Sequence, residues 1–240
     1  MSDRTVLYLF GIYGHPELSP AMQAVADAGW NVVVPSIPGF NGQSGFTAPA
    51  QYLDWYTVYW DAIDALGVGP CHVIGASVGG MMAAELAILR PEFVRSVALL
   101  APFGIFDASN PGHDFYSEVS PKRPAYLFAK GVPDAFNHRF DELGPDEAPV
   151  ARYLADGAAA NMLWPFGERG LAKRLHRITQ PRLTMWGEQD LISPVGLAEK
   201  WGGAHVVAGA GHLMEWDAPE EVSAALLGFL SANRPPRPPY

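Results

Sequence analysis

A serine stands between two glycines in residues 75–79, which read Gly-Ala-Ser-Val-Gly. Residues 72–74 before it are mostly apolar and β-branched, which favours a strand, and residues 81–89 after it have the composition of a helix. A strand that turns directly into a helix needs small neighbours at the turn and holds the side chain at its apex in a strained, projecting position. The pattern predicts that the Ser77 hydroxyl is a nucleophile; the alternative is a tight turn with a capping serine.

A serine hydroxyl is a weak acid, so it attacks a carbonyl carbon only when a base within hydrogen-bond distance accepts its proton. Histidine is the usual base because its pKa lies near working pH. The residues alone leave the choice open among seven histidines: His15, His72, His113, His138, His176, His205 and His212. The choice of base therefore depends on which helices, strands and loops bring a histidine close to Ser77.

Short apolar runs predict six strands, and several of these runs are apolar on both faces, as parallel strands covered by helices should be. The predicted strands lie at residues 6–10, 30–34, 72–74, 94–100, 182–186 and 206–207. Helical periodicity and capping residues predict the intervening helices at residues 17–28, 49–66 and 81–89, one opened by Ser193 and Pro194, and a last one that starts at Asp217. This alternation predicts an α/β fold, a three-layer sandwich with helices on both faces of a mostly parallel sheet.

Residues 101–178 are the least regular part of the chain. Short helices are expected there at residues 126–130, 150–159 and 170–177. No period of 20 to 50 residues recurs, which excludes a repeat array.

Five features follow one another in an order and spacing that resemble the α/β-hydrolase fold family: residues 6–11, residues 38–44, the Ser77 turn, residues 186–190 and Gly211-His212. The resemblance covers nearly the whole chain and is greatest to the small lidded esterases and carbon–carbon bond hydrolases.

The resemblance implies a hydrolase core at residues 1–101 and 179–240, with a helical lid inserted at residues 102–178. Family members commonly begin with an antiparallel pair of strands, but only five residues precede residue 6 here. We therefore expect a six-stranded sheet without that pair. A dimer partner could then cover the exposed sheet edge.

The resemblance also implies a catalytic triad in the order serine, acid, histidine, formed by Ser77, Asp190 and His212. In this arrangement His212 takes the proton of the hydroxyl, and Asp190 orients the imidazole and stabilises its protonated form.

Several alternatives to this triad remain open at the level of the sequence. His15 is the second candidate for the base, and His212 could be an ordinary turn residue. Glu188 lies two residues from Asp190 and could be confused with it, while Asp107 occupies the other position at which the fold carries the acid. Asp217 is better explained as a helix N-cap.

An oxyanion hole requires two backbone N–H groups directed at the developing negative charge. Val78, at the start of the helix, is expected to supply one, and the resemblance implies that Ile12 supplies the other. The family usually has His-Gly before this position, where this chain has Phe10-Gly11. Tyr13 could compensate by donating its hydroxyl into the site.

The composition limits the partners and compartment. A net charge of −9 and a pI near 5.2 disfavour nucleic acid and anionic membrane surfaces. The N-terminus has no signal sequence, no run reaches transmembrane length, and the single cysteine, Cys71, fits a reducing compartment. We therefore expect a cytoplasmic protein, a monomer or homodimer, that acts on a small molecule without a metal or cofactor.

Taken together, these features predict a serine hydrolase that cleaves a small-molecule ester through an acyl-enzyme. Carbon–carbon bond cleavage or lactone opening by the same triad is a second hypothesis, and a non-catalytic binding protein on the same scaffold is a third. Aromatic side chains of the insertion allow an apolar substrate pocket. The candidates for its lining are Tyr13, Phe103, Phe106 and Trp164.

Overall fold

A computed structural model describes residues 4–12, 18–40, 52–138, 140–165 and 167–234. Tyr13 and His15 lie outside these described residues. Within them, six strands form one sheet in the order β2-β1-β3-β4-β5-β6, and every neighbouring pair is parallel. The strands are β1 Thr5–Leu9, β2 Asn31–Val33, β3 Cys71–Ala76, β4 Val94–Leu100, β5 Arg182–Gly187 and β6 His205–Val207. The predicted six-stranded α/β sheet is confirmed.

The described part of the chain contains seven α-helices. They are α1 Pro20–Asp27, α2 Tyr52–Asp64, α3 Val78–Leu89, α4 Asp134–Asn137, α5 Gly144–Leu163, α6 Met214–Asp217 and α7 Pro219–Ala232. One group consists of α1, α6 and α7, which pack against one another, and another consists of α2 and α3. None of the described helices is both long enough and apolar enough to cross a bilayer.

Helix α3 is buried along almost its whole length. Every residue from Val78 to Ile88 is buried, and the helix contacts β1, β3 and β4. A helix that is apolar on all sides is expected to be buried on all sides. The one charged side chain in this stretch, Glu85, is paired with Arg174 of the segment that returns to the sheet.

We call residues 102–178 the cap segment. Its predicted helix at residues 150–159 lies inside the longer α5, which also includes Pro149. Residues 170–177, where a short helix was expected, contain two short 3₁₀ helices, Leu171–Lys173 and Leu175–Arg177. The helix expected at residues 126–130 was wrong, because the 3₁₀ helix Ser120–Tyr126 ends where it was expected to begin. The division of the chain into core and lid stays a prediction.

Two helix starts near the end of the chain also differ from prediction. Ser193 does not cap a helix, because the 3₁₀ helix Val195–Trp201 begins after Pro194. The last helix begins at Pro219, where the fixed φ of proline suits a first helical position, so Asp217 is not its N-cap. Ser193 and Asp217 belong instead to the site described below.

Candidate active site

The turn between β3 and α3 holds Ser77 in a conformation that few non-glycine residues adopt, with φ 56° and ψ −119°. Neighbouring chain segments approach so closely that only glycine fits beside it. A Cβ atom at Gly79 would lie 2.0 Å from the carbonyl oxygen of Leu9, and one at Gly75 would lie 2.3 Å from the carbonyl oxygen of Gly79. This packing fixes the direction of the Ser77 side chain at the carboxyl end of the sheet.

His212 lies between Ser77 and Asp190. Its Nε2 is 2.8 Å from the Ser77 Oγ, and its Nδ1 is 2.8 Å from the Asp190 Oδ2. Because an ionised carboxylate only accepts hydrogen bonds, Nδ1–H donates to Asp190 and Nε2 accepts from the serine hydroxyl. All three residues are buried, and Ser77 is only 1% exposed.

Asp190 is held by the loop that follows β5. Its second oxygen, Oδ1, accepts hydrogen bonds from the backbone N–H groups of Ile192, at 2.9 Å, and Ser193, at 2.8 Å. The Trp186 indole in turn donates to the Ser193 carbonyl at 2.6 Å. With one oxygen fixed by the backbone, the other has a defined orientation toward the imidazole.

Asp217 anchors the loop that carries His212. Its Oδ2 accepts hydrogen bonds from the backbone N–H of Gly211 and from that of Ala129 in the cap segment, both at 2.8 Å. Lys130 Nζ donates to the Asp217 carbonyl, also at 2.8 Å. Sequence reasoning assigned this residue to a helix cap and missed its role as a link between the histidine loop and the cap segment.

Each residue predicted for the oxyanion hole follows a residue of the turn or one next to it: Val78 follows Ser77, and Ile12 follows Gly11. Val78 is the first residue of α3, where the helix dipole favours negative charge. Ile12 is buried and follows Gly11, at which a Cβ would lie 3.2 Å from the Ser77 Cβ. That their N–H groups stabilise an oxyanion stays a prediction.

A mainly apolar cleft adjoins the triad. The Phe103 ring lies 5.3 Å from the His212 ring between centroids, and Ile192 belongs both to the cleft and to the loop that holds Asp190. Trp164 is 56% exposed and does not line it. The lining residues are Met81, Phe103, Gly104, Ile105, Phe106, Pro111, Leu163, Gly167, Arg169, Ile192, Ser193 and Leu197.

The alternative acids have other partners. Asp107 lies 2.7 Å from Lys200 Nζ and accepts a hydrogen bond from the Ser109 hydroxyl. The hydrogen bond from Lys200 is the largest cause that holds the pKa of this half-buried carboxyl well below its usual range. Glu188 Oε2 accepts from the Gly209 N–H at 2.9 Å.

Four of the other histidines contact partners outside the triad. Nδ1 of His72 is hydrogen-bonded to Ser96 inside the core, and the His113 ring stacks on that of Tyr126. His138 pairs with Asp141, and His205 pairs with Glu221. No group of three or more His, Cys, Asp or Glu side chains is placed to hold a metal within the described ranges.

Glu215 was also missed. It is 2% exposed and lies three residues after His212, in the apolar stretch Leu213-Met214-Glu215-Trp216. An acidic residue within such a stretch is the signal that could have drawn attention to it, because carboxyl groups are rarely buried without a partner.

Comparison with known proteins identifies the family of the chain. The sequence model of the Alpha/beta hydrolase family matches residues 11–225. The chain therefore belongs to the alpha/beta hydrolase family.

Its relatives carry out more than one kind of reaction. A 2-hydroxy-6-oxononadienedioate/2-hydroxy-6-oxononatrienedioate hydrolase of Pseudomonas sp is 22% identical over 243 residues, which cover 92% of this chain and 84% of that protein. The dihydrolipoyllysine-residue acetyltransferase component of the acetoin cleaving system of Cupriavidus necator is 30% identical over 249 residues, which cover 92% of this chain but only 62% of that protein's length.

The fold is also similar to solved structures. One is the 2-hydroxy-6-oxo-6-phenylhexa-2,4-dienoate hydrolase of Rhodococcus sp. strain RHA1, with a TM-score of 0.72 and 19% identity, covering 95% of this chain and 90% of that one. At this level of identity the similarity supports the fold alone.

Proposed function

We propose that the protein is a serine hydrolase that cleaves an ester or related acyl bond of a small molecule through an acyl-enzyme. The observation that carries the proposal is the continuous hydrogen-bonded chain from the Ser77 hydroxyl through the His212 imidazole to the Asp190 carboxylate, with both links at 2.8 Å. This is the geometry in which a serine hydroxyl becomes a nucleophile at neutral pH.

In the first half of the reaction the Ser77 Oγ attacks the carbonyl carbon of the substrate while its proton moves to His212 Nε2. Asp190 stabilises the imidazolium that results. His212 then gives the proton to the leaving alcohol as the carbon–oxygen bond breaks, and the acyl group remains on Ser77. In the second half water attacks the acyl-enzyme, His212 again takes and returns the proton, and the acid product leaves.

The backbone N–H groups of Val78 and Ile12 are the donors proposed for the oxyanion of the tetrahedral intermediate. Val78 stands at the N-terminus of a twelve-residue helix, α3, whose dipole adds to the stabilisation of negative charge. A side-chain substitution at Val78 or Ile12 would keep the backbone N–H and disturb the buried packing. We therefore propose to examine these donors through the reaction rates of substrates that differ in carbonyl reactivity.

The adjoining cleft favours a substrate with an apolar acyl or aromatic group, because Phe103, Ile105 and Leu163 are among its lining residues. Arg169 also lines it, although its guanidinium donates to the carbonyls of Leu163 and Pro165 at 2.9 Å.

Carbon–carbon bond hydrolysis is the second candidate. The Pseudomonas relative, which aligns with 92% of this chain, is named as a hydrolase of 2-hydroxy-6-oxononadienedioate. Such a compound carries a ketone within reach of the same attack, and the bond cleaved would then be a carbon–carbon bond rather than an ester.

Labelling with a fluorophosphonate tests the proposal, since this reagent forms a covalent adduct with an activated serine. We expect one adduct per chain, located on Ser77 by mass spectrometry, and no adduct for Ser77→Ala. Ser109→Ala is the matched control, because its hydroxyl is bonded to Asp107 and should not affect labelling. Absence of a stoichiometric adduct on Ser77 would favour a non-catalytic binding protein.

The two candidate reactions are then separated by substrate. A series of p-nitrophenyl esters of increasing acyl length should be hydrolysed by an esterase, with an optimum that reports the size of the cleft. A vinylogous 1,5-diketone should be cleaved much faster than these esters if the carbon–carbon reaction is the main activity.

A further inference from the structure

The cleft beside the triad is narrow, with an open volume of about 30 Å³. Part of its lining comes from the buried core, because Met81 belongs to α3 and Phe103 lies three residues after β4. Another part comes from the cap segment, where Arg169 is one of the lining residues. The size of the group that the cleft accepts therefore depends on how closely the chain around Arg169 is held to α3.

An ion pair joins α3 to residues 167–174, which we call the return segment. Arg174 donates to the Glu85 carboxylate through two nitrogens: Nη2 contacts Oε1, and Nε lies 3.3 Å from Oε2. Glu85 is completely buried and lies four residues after Met81 in α3, so the two side chains share one face of the helix. The ion pair thus holds the return segment to the face of α3 that also lines the cleft.

Arg169 connects this ion pair to the end of α5. Its carbonyl accepts a hydrogen bond from Nη2 of Arg174 at 3.3 Å. Its own side chain donates to the carbonyls of Leu163 and Pro165, each at 2.9 Å. Two arginines in series therefore attach this part of the cleft lining to the helix that begins at the nucleophile.

Leu171 packs against the cleft from the return segment. It is completely buried, and a Cβ atom added at Gly104 would lie 2.6 Å from its Cδ2 and 3.0 Å from the Met81 Cγ. Gly104 and Met81 both line the cleft, so no spare volume separates its lining from Leu171. A movement of the return segment away from α3 would open space at this point.

We infer that the ion pair of Glu85 and Arg174 determines the size of the acyl group that the cleft accepts, because it holds Arg169 and Leu171 close to Met81. This inference rests on the proposed function and specifies its substrates as esters of small acyl groups. Glu85 and Arg174 are positioning residues in this account, since they act on the substrate only through the return segment.

The ion pair can be removed as a unit. Replacing a buried ion pair by apolar side chains of similar volume is often neutral or stabilising, whereas removal of one partner leaves an uncompensated buried charge and is strongly destabilising. The double variant E85M/R174M therefore removes the directed hydrogen bonds to Glu85 and to the Arg169 carbonyl while the fold is kept.

The test compares the hydrolysis of p-nitrophenyl acetate and p-nitrophenyl octanoate. We expect wild type to have the higher kcat/KM for the acetate. In E85M/R174M the ratio of kcat/KM for octanoate to that for acetate should rise about 10-fold, which is the effect of roughly one methylene group that gains room in an apolar pocket. A loss of stability alone would leave this ratio unchanged, because the fraction of folded enzyme affects both substrates equally.

A conservative single variant gives a second measurement if the double variant yields too little folded protein. R174K keeps a positive charge opposite Glu85 but lacks the planar fork that reaches two acceptors, so the ratio should rise roughly 2- to 5-fold. An effect of R174K between those of wild type and E85M/R174M would support a role of the hydrogen bonds in addition to that of the charge.

The ion pair of Arg123 and Asp156 is the matched control. Like Arg174, Arg123 faces a buried carboxylate, at 3.2 Å, and also donates to a backbone carbonyl, that of Glu118 at 2.9 Å. Neither member of this pair lines the cleft. In R123M/D156M the ratio should stay within about twofold of wild type, whatever the effect on Tm. An equal rise in the control would overturn the inference, because any loosening of the cap segment would then widen the cleft.

Binding of the product adds a measurement that does not require turnover. The Kd of octanoate, measured by isothermal titration calorimetry, should fall in E85M/R174M by a factor similar to the rise in the ratio. Because octanoate is not hydrolysed, this measurement reports the width of the cleft and is independent of the triad.

The inference would be overturned by a ratio that stays within about twofold of wild type in both E85M/R174M and R174K while Ser77 still reacts with the fluorophosphonate. A wild type that prefers the octanoate would also overturn it. A wild type that forms no adduct and hydrolyses neither ester would instead reject the proposed function. Octanoate binding would then decide whether the ion pair sets the width of the cleft.

Discussion

We call the turn-and-helix region of residues 71–89 the elbow. Its residues from Val78 to Ile88 are all buried. In the cap segment, by contrast, Leu143, Val150 and Tyr153 are exposed, and Tyr153 is 76% exposed. The elbow belongs to the main core. The first part of α5 instead packs on a small separate cluster, Phe140, Ala148, Ala151 and Ala155, while its last part, including Met162 and Leu163, joins the main core. The elbow is therefore buried on every side, whereas the cap segment also has exposed apolar side chains.

The same difference appears in the glycines of the two regions. In the elbow, glycines are required by close contacts between backbones, as at Gly75 and Gly79. In the cap segment, Gly157 lies inside α5 with nothing within 4 Å of the place where a Cβ would stand. The position of the nucleophile thus depends on backbone atoms in close contact, while the middle of α5 has room for an added methyl group at Gly157.

The largest expected effect concerns the acid. Asp190→Asn should lower kcat about 10⁴-fold, because an amide in place of the carboxylate can donate to His212 Nδ1 and so stabilise the wrong tautomer of the imidazole. Asp107→Asn, at the start of the cap segment, is the matched variant and should change kcat less than about twofold, since Asp107 pairs with Lys200. Steady-state kinetics on one ester checks both. Equal losses in the two variants would show that the acid was assigned to the wrong region.

The next effect is on stability. Gly79→Ala should destabilise the protein by at least about 3 kcal/mol, because the added methyl group would lie 2.0 Å from the Leu9 carbonyl oxygen and 2.5 Å from its carbon, and β1 and α3 would have to separate. Urea unfolding followed by circular dichroism measures this loss. A variant as stable as wild type would mean that the contact between β1 and α3 is much looser than described.

The smallest effect has the opposite sign. Gly157→Ala should stabilise the protein by about 0.5 to 1 kcal/mol, because alanine loses less backbone entropy in a helix interior and finds open space at this position. The same urea experiment applies, with G79A as the contrasting substitution of identical chemistry. A loss of stability in G157A would remove the distinction drawn between the two regions.

The parts that could be predicted from the sequence are those in which local pattern and tertiary structure agree. Strand β4 has the predicted bounds, Val94–Leu100, and its last four residues form the continuous apolar run that is typical of a buried parallel strand. Ser77, His212 and Asp190 were named from motifs, and the structure brings their side chains together.

The parts that could not be predicted depend on contacts between distant segments. Asp217 precedes Ala218 and Pro219 and so has the local appearance of a helix cap, but its partners are Gly211 and Ala129, and Ala129 is 88 residues away along the chain. Ser193 likewise resembles a cap, while its N–H donates to Asp190. The 3₁₀ turns of the cap segment have no apolar period of their own by which they could be recognised.

One carboxylate oxygen, Asp217 Oδ2, accepts hydrogen bonds both from the residue before His212 and from the cap segment. Any displacement of Ala129 away from the sheet breaks one of these two bonds and leaves the histidine loop with the other. The segment that carries His212 is thus tied to residues 127–130 at further points as well, because Lys130 donates to the Asp217 carbonyl and the Leu213 N–H donates to the Leu127 carbonyl at 3.0 Å. A movement of residues 127–130 would therefore also shift the imidazole relative to the serine.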